Sequence, residues 1–142
     1  MAAASTKSPS PVEGRLIEQM RLDNGLTLEL YDRSRLTAGD RWMVCLAARI
    51  EVVVKPALFS DLATSKFSFE NLRRVVGEKA VYRYEKVRYF IDEKQKEDVF
   101  RGLREDFLKT SLGYLSSAQF PRKLILRKYS DAQHPERVWQ RQ

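Results

Sequence analysis

The sequence predicts a single α+β domain, in which an antiparallel sheet of about five strands is crossed by one long amphipathic helix. Three observations lead to this fold. A long segment alternates apolar and other residues, an Asn-Gly pair separates two shorter alternating segments, and a later segment has apolar residues at helical spacing. A small β-barrel with the helix as a plug or lid is the alternative arrangement.

Residues 41–54 form the longest segment with one apolar period. Every second residue from position 42 is apolar, whereas Arg41, Arg49 and Glu51 fall on the opposite parity. One face of this strand is therefore expected in the core. The other face mixes these charges with small and apolar residues such as Cys45. This mixture predicts a central strand that is covered along part of its outer side.

Residues 15–32 are predicted to form a β-hairpin. Alternating leucines flank Asn24 and Gly25. An Asn-Gly pair favours a tight turn in which both central residues have positive φ. The polar residues 33–40 predict a loop that leads into the long strand. Consecutive strands with short connections usually pair, so three antiparallel strands are expected in sequence order.

The long strand is expected to end at Pro56, which cannot donate a hydrogen bond to a strand ladder. Residues 57–63 predict one or two helical turns. Residues 68–76 predict a helix with Ser68 as its N-cap and Gly77 at its C-terminal end.

Three further elements complete the predicted fold. Residues 79–91 are rich in branched and aromatic side chains, which favour a strand. Residues 92–116 carry apolar side chains at helical spacing and predict the main helix, beginning at Asp92. Residues 122–129, which follow Pro121, are interpreted as the last strand.

Length and composition predict one domain between two tails. A chain of 142 residues, 43% of them hydrophobic, supplies one continuous core. Residues 1–14 are small, polar and proline-containing and predict a disordered tail. Residues 15–129 are assigned to the domain and residues 130–142 to a polar C-terminal tail.

The location of the protein is inferred from what the N-terminal segment and the apolar segments lack. The first residues have neither the basic nor the apolar region of a secretory signal. No apolar segment reaches the roughly 20 residues that a membrane helix needs. A cytoplasmic protein is therefore expected, with a short transit peptide as the alternative. A reducing compartment agrees with the single cysteine, Cys45, which is expected to be a small buried apolar residue.

Basic residues are concentrated in two segments of a chain whose net charge is +7. Residues 55–90 contain 8 Lys and Arg against 4 Asp and Glu, and residues 120–142 contain 6 against 2. If the strands predicted in these segments are neighbours, they form one basic surface. The candidate contacts for a nucleic acid or another anion are Tyr82, Arg83, Tyr84, Lys86, Arg88, Arg122, Lys123, Arg127 and Lys128.

The direction of the Tyr82 and Tyr84 rings decides between two interpretations of this segment. Exposed rings among cations are the combination that single-stranded nucleic-acid sites use, with stacking on the rings and phosphate contacts to the cations. Rings that face the core would instead contribute to stability, and the cations would be solvated. Burial of both rings is the favoured outcome.

Catalytic and cofactor motifs are missing from the sequence. One His and one Cys cannot supply a zinc site of Cys and His ligands within one chain. The phosphate-binding patterns GxxxxGK[ST] and GxGxxG do not occur. The carboxylates near residue 92 are interpreted as favourable charges at the N-terminus of the main helix. No metal, cofactor or catalytic residue is predicted.

Three hypotheses on function follow. The preferred one is a small non-catalytic binding or adaptor module that recognises a protein partner, with the mixed outer face of the long strand as a contact surface. The alternative is a nucleic-acid-associated protein that uses the basic, aromatic-rich residues 79–91. An enzyme that uses only carboxylates, Lys, Tyr or Ser, at a site that the sequence does not identify, is the remote alternative.

Overall fold

A computed structural model describes residues 14–62 and 68–135. Of the predicted tails, residues 1–13 of the first and 136–142 of the second lie outside these ranges. The strands are β1 Arg15–Arg21, β2 Thr27–Asp32, β3 Arg35–Ala38, β4 Arg41–Val53 and β5 Lys79–Asp92. The α-helices are α1 Phe69–Val76, α2 Lys96–Ser116 and α3 Phe120–Gln133. Two 3-10 segments, Pro56–Leu62 and Glu93–Gln95, precede α1 and α2.

The five strands form one open antiparallel sheet with β4 at its centre. One side of β4 pairs with β2 and, further along, with the short β3. The other side pairs with β5, and β1 pairs with the far side of β2. This confirms the predicted α+β class and the central position of the long strand. The sheet is not closed, because β1 and β5 lie at opposite edges, so the barrel alternative is wrong.

The apolar parity of β4 faces the helices, and this side of the sheet is called the inner face below. Its side chains are almost completely buried; they are Val44, Leu46, Ala48, Ile50 and Val52. Leu103 and Phe107 of α2 and Phe120 of α3 belong to the same buried cluster. Arg104 of α2 also donates two hydrogen bonds to the Glu18 carboxylate on β1, at 2.8 and 2.9 Å. The main helix therefore packs across the sheet, as predicted.

The predicted hairpin is present, but its turn differs from the prediction. Asn24 does not have a positive φ; only Gly25 does, with φ 89°. The Gly25 N–H donates to Leu22 O at 2.9 Å, and the Leu22 N–H donates to Leu26 O at 2.7 Å. These bonds define a three-residue loop with glycine in the left-handed position.

The side chain of Asn24 accounts for this turn conformation, because it forms hydrogen bonds to residues outside the hairpin. Its Nδ2 donates to the carbonyl oxygens of Leu115 and Ser117, both at 2.8 Å. Its Oδ1 accepts from the Leu26 N–H at 3.1 Å. Asn24 thus joins the hairpin turn to the C-terminal end of α2 by hydrogen bonds.

The last predicted strand, residues 122–129, is wrong: these residues lie within α3, which continues to Gln133. The buried residues of α3 are Phe120, Pro121, Leu124 and Ile125, a spacing that places them on one side of a helix. Pro121 lies in the first turn, where proline is well tolerated. The proline that suggested a strand boundary is therefore a helix start.

Two other boundaries differ from the prediction. Residues 35–38, assigned to a loop, form β3; its four side chains are all exposed, so they have no apolar alternation to reveal a strand. Asp92 ends β5, and its carboxylate accepts from the Lys94 N–H at 2.9 Å; the main helix begins only at Lys96. By contrast, the Ser68 cap is confirmed, because its hydroxyl accepts from the Asn71 N–H.

Among the described residues, no helix combines the length and apolar character needed to cross a membrane.

The neighbouring residues Val52 and Val53 test the assignment of the two faces. Val52 is 1% exposed on the inner face, and Val53 is 47% exposed on the other. We expect Val52→Ala to lower the free energy of unfolding by about 2 kcal/mol, because it removes buried methyl groups and leaves a cavity. Val53→Ala should change it by about 0.5 kcal/mol or less. Denaturant titration of both variants measures the difference, and equal losses would contradict the assignment.

Candidate binding surface at the edge strand

β5 is an edge strand of unusual length. It pairs with β4 from Lys79 to Asp92, and in the part of the chain that the structure describes no other strand pairs with it. An edge strand presents a row of N–H and C=O groups that can accept another extended chain. This edge is 14 residues long, against about 5 or 6 for a typical strand.

A β-bulge interrupts β5 near its C-terminal end. Ile91 pairs with Trp42 and Arg88 pairs with Val44, so Tyr89 and Phe90 together lie opposite the single residue Met43. Phe90 has φ 60°, the only positive φ of a non-glycine residue in the described chain. This backbone conformation is rare for a bulky side chain, and bulges commonly redirect side chains at functional edges.

The bulge displays two aromatic rings to solvent. Tyr89 is 72% exposed and Phe90 is 77% exposed. The Arg41 guanidinium carbon lies 5.4 Å from the centre of the Phe90 ring, and Arg41 Nη1 donates to the Asp92 carboxylate at 2.9 Å. The Lys94 N–H and Arg41 both lower the pKa of Asp92, so this carboxylate stays charged and holds Arg41 beside the ring.

The bulge also changes the face on which the last residues of β5 lie. The sequence pattern groups Val81, Val87, Tyr89 and Ile91 on one face. In the structure Val81 and Val87 are on the outer face, whereas Ile91, beyond the bulge, pairs with Trp42 and packs against the core cluster. The extra residue therefore restores an apolar side chain to the inner face.

The Tyr82 and Tyr84 rings face the helices, not solvent. Tyr82 packs edge-on against Phe120 with ring centres 5.6 Å apart, and Tyr84 lies 4.5 Å from the Phe107 ring centre. Burial raises the pKa of Tyr82 to about 12. A stacking platform made of these two rings is therefore wrong, because their faces are occupied by core aromatics.

The cationic residues predicted as contacts lie on both faces of β5 and on the surface of α3. Lys86 and Arg88 are exposed and share the inner parity of β5, whereas Arg83 is on the outer parity, paired in register with Arg49. Arg127 of α3 lies close enough to the Tyr82 hydroxyl to influence its ionisation. The other predicted cations of α3 also lie on the helix surface, with Lys123 and Lys128 exposed and Arg122 half-buried. The two basic segments are thus neighbours, although the second is a helix.

The outer face of β4 does not present an open apolar patch. Cys45 is 2% exposed, and Glu85, which forms an ion pair with Arg33, lies against it. Burial, followed by the charge of Glu85, raises the pKa of the Cys45 thiol to about 12. The next part of this face is a polar network in which Arg49 bridges Glu29 and Glu51 at 3.3 and 2.8 Å. The apolar residues of this face are therefore shielded by charged side chains.

Tyr89 and Phe90 belong to the predicted aromatic and basic segment, and Phe90 was expected to share the face of Tyr82 and Tyr84, but neither was among the candidate contact residues. The signal that could have identified them is the pair of adjacent aromatics, which breaks the alternation of residues 79–91. Among the described residues, no group of three or more His, Cys, Asp and Glu is placed to hold a metal ion. The candidate site is therefore the edge of β5 with its bulge.

Comparison with family models, curated proteins and solved structures found no match.

The strain at Phe90 can be measured with two glycine variants. We expect Phe90→Gly to raise the free energy of unfolding by about 0.5 to 1 kcal/mol, because glycine adopts positive φ without a steric penalty. Tyr89→Gly should lower it, since Tyr89 has no positive φ and gains only chain entropy in the unfolded state. Thermal and denaturant unfolding of the pair provide the measurement. Destabilisation by Phe90→Gly as large as that by Tyr89→Gly would show that the bulge is unstrained.

Proposed function

We propose that this protein is a non-catalytic binding module that recognises a protein partner by adding an extended segment of that partner to the free edge of β5. The observation that carries the proposal is the combination of a 14-residue edge strand, unpaired within the described residues, with two exposed rings at its bulge. Strand addition is a recurring mode of peptide recognition.

The side chains of β5 suggest what such a segment contains. Main-chain hydrogen bonds supply affinity in strand addition, and side-chain contacts supply specificity. Tyr89 and Phe90 offer apolar contact area, while Lys86 and Arg88 are exposed cations on the same strand. An extended segment with acidic and apolar residues would complement this edge.

The charged residues of β5 and its bulge also limit uncontrolled aggregation, as edge strands commonly require. That role does not account for two rings that are 72% and 77% exposed, because protected edges carry charges, prolines or short strands instead. Aromatic residues and arginine are enriched among the residues that dominate binding energy at protein interfaces. The exposed rings therefore favour recognition over protection.

Selection of peptides from a random phage-displayed library tests the proposal. Peptides enriched on the wild-type chain are synthesised, and their affinities are measured by calorimetry for wild type and for Tyr89→Ala/Phe90→Ala. We expect the double variant to bind about tenfold more weakly or worse, as for the loss of interface hot spots. Tyr114→Ala, which removes a 48% exposed ring from α2, is the control and should bind unchanged. Failure to enrich any peptide, or equal affinity for all three proteins, would contradict strand addition at this edge.

A nucleic-acid function is the second candidate, supported by a different observation from the one predicted. Tyr89 and Phe90, in place of Tyr82 and Tyr84, are exposed rings next to the cations Lys86 and Arg88. Rings for base stacking beside cations for phosphates are the elements of a single-stranded site.

Fluorescence anisotropy with labelled oligo-uridylate and oligo-thymidylate distinguishes the candidates. If this function holds, Tyr89→Ala should weaken binding by about 1 to 3 kcal/mol. The variant Lys86→Gln/Arg88→Gln should reduce the dependence of affinity on salt concentration. Absence of binding at low salt would contradict the nucleic-acid candidate and leave the protein partner.

A further inference from the structure

We infer that the segment added to β5 is β5 of a second copy of this chain, so that two sheets join into one across a two-fold axis. This inference rests on the proposed function of the edge and names its partner. It is carried by the order of charges along β5, which complements itself when two copies of the strand pair in antiparallel fashion about Tyr84.

Symmetry restricts the possible registers. In a two-fold dimer that continues the sheet, both copies place their helices on the same side, so each residue must face a residue of the same parity. The axis must then pass between the two copies of one residue of β5, so that this residue in one chain lies opposite the same residue in the other. Registers that pair an outer-face residue with an inner-face residue are excluded.

Centring the axis on Tyr84 brings opposite charges together. Arg83 of each copy then faces Glu85 of the other on the outer face, so each Glu85, which pairs with Arg33 of its own chain, gains a second cation. In the same register Val81 faces Val87 twice, and Tyr82 faces Lys86 on the inner face. The assignment of these residues to the inner and outer faces follows from the register in which β5 pairs with β4. Opposite charges and branched apolar pairs are the favourable cross-strand combinations.

Three of the neighbouring registers bring like charges together. An axis through Arg83 places Arg83 opposite itself, and an axis through Glu85 does the same for Glu85. An axis through Lys86 sets two lysines against each other. Like charges directly opposite destabilise a strand pair. An axis through Tyr82 also avoids like charges and sets Lys79 opposite Glu85, but it pairs only residues 79–85 of β5, whereas the axis through Tyr84 pairs residues 79–89. The charge order and the length of the pairing together select the register centred on Tyr84.

The bulge marks the end of this pairing. β5 pairs regularly with β4 from Lys79 to Arg88, and the irregularity follows at Tyr89 and Phe90. With the axis at Tyr84, Lys79 of one copy faces Tyr89 of the other. The strand pairing between the two copies thus includes all the residues of β5 that pair regularly with β4, and it ends where the bulge bends the strand. This register also brings the exposed Tyr89 ring opposite Lys79, whose ammonium pairs with Glu51 of its own chain at 3.4 Å.

Charge reversal at the two outer-face positions tests this register with the full-length chain. Arg83→Glu alone would set a glutamate opposite Glu85, and Glu85→Arg alone would set an arginine opposite Arg83. Each single variant should therefore dimerise about tenfold more weakly or worse than wild type. In an equimolar mixture of the two variants a heterodimer should form, because it places a glutamate opposite an arginine at both pairs of positions, whereas each homodimer opposes like charges at both. Glu105→Arg, an exposed acidic residue of α2, is the control that should leave dimerisation unchanged.

The charge-swapped variant Arg83→Glu/Glu85→Arg completes the test. It exchanges the two charges on one chain, and its homodimer again sets each glutamate opposite an arginine. We expect it to dimerise within about threefold of wild type, whereas both single variants stay weakened.

Sedimentation equilibrium of each sample gives the result. A wild-type dimer, two weakened single variants and a restored double variant are the expected outcome. Circular dichroism confirms that each single variant is folded. Wild type that remains monomeric up to about 1 mM would overturn the inference, as would single variants that dimerise as well as wild type.

The peptide selection described above separates this inference from the proposed function. A chain that binds selected peptides through Tyr89 and Phe90 but stays monomeric contradicts the dimer alone. A chain that neither binds peptides at this edge nor dimerises contradicts both.

Discussion

Replacing Tyr82 and Tyr84 together by alanine should lower the free energy of unfolding by at least about 3 kcal/mol. Both rings pack against core aromatics, Tyr82 against Phe120 and Tyr84 against Phe107. Truncation removes apolar area and aromatic contacts and leaves cavities beneath α2 and α3. Urea unfolding, followed by far-UV circular dichroism, measures the loss.

The matched control is Tyr89→Ala/Phe90→Ala, because it removes two rings from the same strand. These rings are mostly exposed, so stability should change by less than about 1 kcal/mol. Similar losses for the two double variants would mean that the rings at positions 82 and 84 contribute no more packing than those at the bulge.

Asn24→Asp should destabilise the protein more than any other single change at the hairpin turn. The Asn24 Nδ2 group donates to two backbone carbonyl oxygens at the end of α2. A carboxylate cannot donate and would point a negative charge at both oxygens. We expect a loss of about 3 kcal/mol at neutral pH, and about 1 to 3 kcal/mol for Asn24→Ala, which only leaves the acceptors unpaired.

Asn71→Asp provides the control, since Asn71 is the only other asparagine in the chain. Its Nδ2 contacts the Tyr129 hydroxyl at 2.6 Å. A hydroxyl can rotate and donate to the new carboxylate, whereas a carbonyl cannot, so this variant should lose little stability. The aspartate introduced by Asn24→Asp should have a raised pKa, because its charged form is disfavoured. The difference between Asn24→Asp and Asn24→Ala should therefore narrow as the pH falls through that pKa, and a difference that is constant with pH would contradict the argument.

The elements that could be predicted from the sequence are those whose buried side chains recur at a regular spacing along the chain. The inner face of β4 alternates strictly, and α2 repeats its apolar residues at helical spacing, so both were recognised. The hairpin was recognised from Asn24 and Gly25. The form of its turn was not, because the use of Asn24 depends on α2, which is distant in sequence.

The remaining elements lack such a signal or carry a misleading one. The buried residues of α3 include adjacent pairs, so strand and helix periods both fit residues 122–129; Pro121 in the first helical turn was the better indicator. The bulge at Tyr89 and Phe90 depends on β4, which provides only Met43 opposite them. The segment was proposed as a contact surface from its composition, but the bulge was missed because a bulge is a property of two paired strands, not of one.

The shielding of Cys45 by the Arg33–Glu85 pair makes the single thiol a natural reporter of sheet opening. Its pKa of about 12, against about 8.5 for an ordinary cysteine, leaves almost no thiolate at neutral pH while the sheet is intact. An alkylating reagent will therefore react with Cys45 mainly through molecules in which β4 has separated from its neighbours. The labelling rate then follows the population of these opened molecules, and it measures how tightly the centre of the sheet is held under native conditions.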